Sequence, residues 1–232
     1  MMAGAFHLKS APNLSNGWGP PLRIIMPMTK DELKMIHSYI DLSHNYLEFG
    51  SGESTIYAST APMIKSIDSV ESSEGYISEY LKPNTAITNA LSTGKLLFHI
   101  IDIGETIAWG YPKNELKKHL WPNYSLSVFT KKSNHDLALV DGRFRVACTL
   151  NCILNTPENC TIIIHDFWSR PEYHIVLKYL ELKDKVETLG VFSKKQDTDL
   201  IKLQSLIKKY QYLPKDRTLV DKIKRKLTKR YK

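Results

Sequence analysis

The stretch from Tyr46 to Thr55 constrains the fold most, because it changes from strand-like to turn-like to helix-like within a few residues. Gly50 and Gly52 lack Cβ atoms, so the chain can turn tightly there and a ligand can approach the backbone. The residues from Ser54 onward are typical of the first turns of a helix, whose free N–H groups can bind a ligand. A strand–turn–helix unit of this kind predicts a nucleotide-type pocket.

An acidic residue and a missing glycine narrow the choice of ligand. The dinucleotide motif G-x-G-x-x-G needs a third glycine, but that position is Thr55 here. Glu71 closes the next predicted strand about 20 residues on, where a ribose-binding carboxylate is expected. Asp68 competes with Glu71 for this role. A ligand with a ribose but no pyrophosphate fits both observations, and a turn that serves another nucleotide stays open.

The segment Glu48-Phe49-Gly50-Ser51-Gly52 resembles the acid-x-G-x-G motif of the class I S-adenosylmethionine-dependent methyltransferases. The resemblance implies a Rossmann-like, doubly wound, mostly parallel sheet of seven strands with helices on both faces, the last strand being antiparallel. It also implies S-adenosylmethionine as the cofactor. The residues that we expect to contact it are Glu48, Gly50, Ser51, Gly52, Ser54, Thr55, Glu71 and Asp102, with Asp102 facing the adenine edge.

Hydrophobic periodicity predicts alternating strands and helices, which is typical of a mostly parallel sheet covered on both faces. The predicted strands are 63–70, 96–103, 160–165 and 186–192, together with a first strand and its turn over 46–53 and a fourth strand and its exit over 136–143. The predicted helices are 30–41, 73–82, 145–154, 171–182 and 199–212.

Three polar residues follow the fourth and fifth predicted strands, at the edge where the glycine turn lies. His165 has an ordinary pKa near neutrality and suits a general base for methyl transfer to a hydroxyl. Asp141 and Asp166 are candidates to orient the acceptor, or to hold Mg²⁺. Metal-dependent O-methyltransferases, which the sequence resembles here, carry an acidic or acid–amide pair where His165-Asp166 stands. Metal-dependent and metal-free mechanisms therefore both stay open.

The segments 140–145, 164–166 and 170–173 resemble a branch of bacterial and large-DNA-virus methyltransferase domains linked to surface-glycan synthesis. The resemblance implies a sugar hydroxyl of a glycan or glycoconjugate as acceptor. Trp109 lies in an aromatic, turn-rich segment that is either an acceptor platform or a packed loop. Arg143 and Arg145 either bind an acidic or phosphorylated acceptor group, or are packing or surface residues that flank a helix start. Arg143 is favoured because it lies next to the carboxyl edge of the sheet.

We predict an irregular arm over 1–28, a methyltransferase domain over 29–212 and a basic tail over 213–232. Residues 215–232 carry nine Lys and Arg against two Asp, and thus +7 of the net charge of +8. The tail reads as an amphipathic helix that binds an anionic membrane surface, binds nucleic acid, or docks on the domain. Nucleic acid is not the expected partner, because the rest of the chain is nearly neutral.

Two rival functions follow from the same features. One is methylation of RNA or protein recruited by the tail, and the other is a nucleotide-binding module without catalysis. Three cysteines at no metal-type spacing indicate free thiols in a reducing compartment. With no secretory signal in residues 1–21, we expect a cytoplasmic protein.

Overall fold

The computed structural model describes residues 28–129 and 133–216. The predicted arm over 1–28, apart from Met28, and the predicted tail beyond residue 216 lie outside the described residues. No helix in the described ranges is long and apolar enough to cross a membrane.

Seven strands form one sheet in the order β3-β2-β1-β6-β7-β9-β8. They are β1 (Asn45–Phe49), β2 (Ser66–Glu71), β3 (Leu96–Ile100), β6 (Leu137–Val140), β7 (Thr161–Ile164), β8 (Leu180–Val186) and β9 (Leu189–Lys194). The first five run parallel, whereas β9 pairs antiparallel with both β7 and β8. A separate two-stranded hairpin joins β4 (Thr106–Ile107) to β5 (Tyr111–Pro112). The predicted fold class is thus confirmed, including the antiparallel last strand.

Helices cover both faces of the sheet. They are α1 (Lys30–Ile40), α2 (Glu53–Thr60), α3 (Glu74–Tyr76, continued as a π-helical turn over Ile77–Leu81), α4 (Thr85–Ser92), α5 (Pro122–Leu126), α6 (Arg145–Asn155) and α7 (Leu200–Tyr210). Short 3₁₀ segments lie at Ala108–Gly110, Lys118–Leu120, Ser127–Phe129 and Pro171–Lys178. One buried cluster packs α5, α6 and α7 on one face, and another packs α1, α2 and α4 on the other.

Helix α1 begins where the sequence predicts it. The Thr29 side chain accepts a hydrogen bond from the Glu32 N–H, and the Glu32 carboxylate accepts one from the Thr29 N–H. This reciprocal capping box satisfies two N–H groups that have no partner within the helix. The second Glu32 oxygen, Oε1, accepts hydrogen bonds from the N–H and the hydroxyl group of Thr188. Because Thr188 lies in the β8–β9 turn, these bonds link α1 to that turn.

Two predictions about elements are wrong, and one helix was not predicted. Residues 171–182 form a 3₁₀ segment and then β8, because the alternating residues from Leu180 pair antiparallel with β9 to give a charged edge strand. Strand β3 ends at Ile100 rather than at residue 103, which leaves Asp102 in a loop. Helix α4, capped by the Asn84 side chain, was not predicted.

Candidate active site

The glycine turn packs directly against the turn after β6. Gly50 has a φ of +95°, and a Cβ atom there would lie 2.8 Å from both the N and Cα atoms of Gly142. Only a residue without a side chain tolerates this conformation together with this backbone contact. The close approach brings the end of β1 and the end of β6 to one point at the carboxyl edge of the sheet.

Glu48 is a buried carboxylate that binds the residues directly after the glycine turn. Its side chain is 0% exposed, and its carboxylate accepts hydrogen bonds from Ser54 Oγ (2.7 Å), Ser69 Oγ (2.6 Å), Tyr46 OH (3.0 Å) and Thr55 Oγ1. Burial raises the pKa of Glu48, and the four hydroxyl donors oppose that rise. The structure therefore corrects the expectation of a direct cofactor contact, because Glu48 fixes the start of α2 instead.

Glu71 lies at the tip of β2 and lines the cavity beside the turn. Its Oε1 accepts hydrogen bonds from the backbone N–H groups of Ser72 (2.6 Å) and Ser73 (3.1 Å). Its Oε2 accepts a longer one, 3.4 Å, from the N–H of Ser51. A carboxylate oxygen engaged this weakly retains the capacity to accept from a ribose hydroxyl.

Asp141 and His165 form a hydrogen-bonded pair on the opposite wall. His165 Nδ1 lies 2.8 Å from Asp141 Oδ1, and His165 Nε2 lies 3.4 Å from Glu32 Oε2. Burial lowers the pKa of His165, but Asp141 outweighs it, so the pKa lies above its ordinary value. The imidazole is thus held between two carboxylates, which favours its charged form. The Asp141 side chain is 28% exposed against 11% for His165, so Asp141 is the more accessible member.

Arg145 occupies the space between the two predicted metal ligands. Its guanidinium lies 2.9 Å from Asp141 Oδ1 and 3.2 Å from Asp166 Oδ2. It also donates to the backbone carbonyls of Gly142 (3.0 Å) and His165 (2.6 Å). This buried cation neutralises the carboxylates that we expected to hold Mg²⁺.

The donor set does not fit a Mg²⁺ site. Besides Arg145, Arg170 approaches Asp166 at 2.8 Å, so two guanidinium groups already bind one oxygen, Oδ2, of this carboxylate. Across residues 28–129 and 133–216, no group of three His, Cys, Asp or Glu side chains could hold a metal ion. The expectation of Mg²⁺ at Asp141 and Asp166 has no support in this structure.

The β4–β5 hairpin lies over the cavity. Trp109 at its turn has a φ of 66° and a side chain that is 53% exposed and lines the cavity. Left-handed backbone at a non-glycine residue costs about 1 kcal/mol or more, and such strain concentrates at functional sites. Arg143, which follows Gly142, stacks its guanidinium on the ring of Tyr111 at 4.2 Å from the ring centroid.

These groups enclose one cavity of about 780 Å³ at the carboxyl edge of the sheet. It brings together eight of the residues singled out by sequence, which are Gly50, Ser51, Glu71, Trp109, Asp141, Arg143, His165 and Asp166. Met28, the last residue of the predicted arm, also lines it. A site of this volume can hold a nucleoside-sized ligand together with part of an acceptor.

Five predicted residues do not line this cavity, namely Glu48, Gly52, Ser54, Thr55 and Asp102. Ser54 and Thr55 bind Glu48, and the Thr55 hydroxyl also accepts from the Gly52 N–H at 2.8 Å. Asp102 forms an exposed ion pair with Lys117 and accepts from the Gly104 N–H. The placement of Asp102 differs from the expected adenine contact because β3 ends before it.

Sequence reasoning gave no role of their own to three residues of the site. Tyr111 and Arg170 line the cavity, and Glu32 contacts His165. Arg145 was expected, with Arg143, to bind the acceptor or to pack at a helix start, and in the structure it pairs with Asp141 at i,i+4 spacing. Glu32 and Tyr111 gave no spacing signal, because each reaches the site from a distant part of the chain.

Comparison with known proteins agrees with this geometry. A methyltransferase-like protein from Silicibacter pomeroyi superimposes with a TM-score of 0.68 at 26% sequence identity, covering 80% of this chain and 96% of that chain. This chain has the fold of the class I methyltransferases. No protein-family model matches the sequence, and no curated protein matches it either.

Two further solved structures match this chain with lower scores. A putative caffeoyl-CoA O-methyltransferase from Staphylococcus aureus has a TM-score of 0.48 at 14% identity, covering 73% of this chain and 86% of that one. An N-methyltransferase from Bradyrhizobium japonicum in complex with S-adenosylhomocysteine has a TM-score of 0.47 at 13% identity, covering 72% and 88%.

Proposed function

We propose that this chain is an S-adenosylmethionine-dependent O-methyltransferase that acts on a sugar hydroxyl of a glycan or glycoconjugate. The observation that carries the proposal is the single cavity in which the glycine turn and Glu71 face the Asp141–His165 pair. One wall suits a ribose-bearing cofactor, and the other wall suits a hydroxyl that must lose a proton. The methyltransferase fold places both walls at the carboxyl edge of the sheet.

The residues present fit S-adenosylmethionine, which supplies a sulfonium methyl group when it is bound. Glu71 Oε2 is engaged only by the long bond from the Ser51 N–H and can accept from a ribose hydroxyl. Gly50 keeps the adjoining wall free of side-chain atoms. Tyr76 lines the same side of the cavity and offers an aromatic face.

Asp141 would accept a hydrogen bond from the acceptor hydroxyl and take its proton as the oxygen receives the methyl group, while the charged His165 would hold Asp141 in place. Asp141 is exposed to the cavity, and the buried Arg145 and His165 fix its orientation from behind. Burial raises the pKa of Asp141, but Arg145 and His165 outweigh this and lower it, so the carboxylate stays charged and ready to accept a hydrogen bond. In this arrangement His165 acts through Asp141, because its other nitrogen faces Glu32. Asp166 would act as a support, fixed by Arg145 and Arg170.

The position of Trp109 supports the proposal that the acceptor is a sugar. Its indole lies at the cavity with about half of its surface exposed, and the strained turn holds it there. Aromatic rings offer flat apolar surfaces that pack against the apolar faces of sugar rings. Arg143 lies under the same hairpin and is available to polar groups of the acceptor.

Calorimetric titration with S-adenosylmethionine, S-adenosylhomocysteine and NAD tests the proposal. We expect the two adenosyl ligands to bind and NAD not to bind. Glu71→Gln should weaken binding about tenfold, because it removes a charged acceptor from the ribose. Asp102→Asn is the matched control and should leave the affinity unchanged, because Asp102 lies outside the cavity.

The opposite pattern would contradict the proposal. Lack of binding by both adenosyl ligands would remove the assigned cofactor, and with it the methyl transfer. Asp141→Asn then separates catalysis from binding. It should retain S-adenosylmethionine binding and lose turnover, which is measured as S-adenosylhomocysteine released in the presence of pooled sugar acceptors.

A further inference from the structure

The positive charges around the cavity are not all neutralised by the protein. Arg145 and Arg170 both pair with Asp166, and Arg145 also pairs with Asp141. By contrast, neither Arg143 nor Lys215 forms an ion pair with any carboxylate of the described residues. Both nevertheless lie at one side chain, Tyr111. Two cations that form no direct ion pair, one of which lines the cavity, favour the binding of an anion there.

Tyr111 is surrounded by these cations. The Arg143 guanidinium lies 4.2 Å from the ring centroid, and Lys215 Nζ lies 5.4 Å from it. The phenolic oxygen also interacts with the guanidinium groups of Arg143 and Arg170. Burial raises the pKa of Tyr111, but Arg143 and Arg170 outweigh it, and the pKa lies below its ordinary value. When guanidinium groups donate to the phenolic oxygen, its own proton remains free to be donated to an anion.

The chain is built so that these groups meet. The hairpin that carries Tyr111 packs closely, since a Cβ atom at Gly110 would lie 3.9 Å from Arg143 Cγ and 3.7 Å from Ser72 Oγ. Lys215 arrives from the other end of the chain, next to Asp216, which caps α6 by accepting from the N–H groups of Arg145 and Val146. The chain thus fixes Lys215 against the ring of Tyr111, and Tyr111 lines the cavity together with Arg143.

We propose that Arg143, Lys215 and Tyr111 form a subsite for an oxyanion carried by the acceptor, either a phosphate ester or a carboxylate. This inference rests on the proposed function and narrows its substrate class to acidic acceptors, such as a phosphorylated or uronic-acid-type sugar. Arginine suits such groups because its planar fork can bind two oxygens at once. Trp109 stands next to the subsite in the same hairpin and would contact the sugar ring.

A competing occupant is the carboxylate of the cofactor's methionine part, because Arg143 directly follows the Gly142 turn. The two occupants predict different competition. An acceptor subsite remains available when the cofactor site is filled, whereas a cofactor-carboxylate subsite does not.

The test is titration of inorganic phosphate, and separately of acetate, into the full-length protein with and without saturating S-adenosylhomocysteine. Binding is followed by calorimetry at constant ionic strength. We expect phosphate to bind in both conditions. Arg143→Gln and Lys215→Gln should each weaken it about tenfold, because each removes one charged donor. Lys118→Gln is the matched control, since Lys118 pairs with Glu115 and does not line the cavity.

Three results would overturn the inference. If phosphate binds the Arg143→Gln and Lys215→Gln variants with the same affinity as the wild type, it does not use this subsite. Phosphate that S-adenosylhomocysteine displaces reports the cofactor's carboxylate instead. Absence of both phosphate and acetate binding would show that the cations attract no oxyanion. Tyr111→Phe keeps the aromatic ring against Arg143, so it provides a second test of the subsite if the Arg143→Gln variant does not fold. This variant should bind phosphate more weakly than the wild type, because it lacks one hydrogen-bond donor.

The titrations with and without S-adenosylhomocysteine distinguish a failure of this inference from a failure of the proposed function. If S-adenosylhomocysteine fails to bind, the proposed function fails, while the titration without it still reports whether the oxyanion subsite exists. If S-adenosylhomocysteine binds but neither phosphate nor acetate does, the cofactor assignment stands and the acidic acceptor is withdrawn.

Discussion

The two walls of the cavity are held in place by different forces. The wall at the glycine turn depends on close backbone contact and on hydroxyl groups gathered around one buried carboxylate, Glu48. The opposite wall depends on charge, with Arg145 bridging Asp141 and Asp166. The difference shows that a shape-dependent site for a cofactor can lie beside a charge-dependent site for chemistry. Substitutions should therefore affect the two walls through different mechanisms.

The charged wall should be most sensitive to Arg145. Arg145→Met would leave two carboxylates and three backbone carbonyls without their buried donor. Removing one partner from a buried ionic network costs about 3–5 kcal/mol of unfolding free energy, because the remaining charge stays desolvated. Denaturant unfolding at pH 7 measures it.

Arg143→Met is the matched control for that change. Arg143 forms no ion pair within the described residues and contacts Tyr111 mainly by stacking. We expect it to cost no more than about 1 kcal/mol. Equal losses for the two variants would show that the charged wall does not depend on the bridge, and the contrast between the walls would fail.

The glycine wall should respond to a single added methyl group. Gly50→Ala places a Cβ atom 2.8 Å from backbone atoms of Gly142, at a φ of +95°. Strain and overpacking together should cost about 3 kcal/mol, since neither backbone segment can move without the strand behind it. Thermal unfolding measures the loss.

Gly52→Ala tests whether the effect is local to the contact. A Cβ atom at Gly52 meets nothing within 4 Å, and its backbone is extended, so the melting temperature should barely change. A similar loss for both variants would indicate that the turn needs flexibility at either glycine rather than the close approach at Gly50.

The sequence predicted which turn forms the glycine wall, but it did not predict the partners that hold the charged wall in place, for a physical reason. The turn, Glu71 and the start of α2 are set by residues close in sequence. In the charged wall, by contrast, Glu32 reaches His165 from α1, and Tyr111 reaches Arg143 from a separate hairpin. The wrong prediction for Asp102 has another cause. Strand β3 ends a few residues earlier than predicted, so Asp102 lies outside the site and pairs with Lys117.

Even within the glycine wall, one assignment depended on packing. The sequence motif marks Glu48 as the acid beside the turn, but the side chain turns inward because β1 is buried from Tyr46 to Phe49. Ser69, from the neighbouring strand, completes its set of hydroxyl partners. Cross-strand register, which the sequence did not reveal, decided whether this acid faced a ligand or the core.

The smallest expected effect concerns Asp216, which caps α6 behind the charged wall. Burial raises the pKa of Asp216 to about 6 from an ordinary 3.8, although the N–H groups of Val146 and Arg145 oppose the shift. A carboxyl with a raised native pKa binds its proton more tightly in the folded state. Its contribution to stability is therefore present at low pH and is lost as the pH rises from about 4 through about 6. The loss is no more than roughly 3 kcal/mol for a shift of this size.

Asp216→Asn removes this titration while keeping an oxygen that can cap the helix. Asparagine also tolerates the left-handed φ of 53° at this position. The stability of the variant minus that of the wild type should thus rise between pH 4 and pH 7. Asp199→Asn, at the exposed cap of α7, gives the control of opposite sign, because Lys202 lowers the pKa of Asp199. A flat difference for Asp216→Asn would mean that the Arg145 and Arg143 charges fully offset burial. The neighbouring charges would then determine the protonation state of Asp216. This outcome would strengthen the contrast between the charge-dependent wall and the glycine wall, which depends on backbone contact.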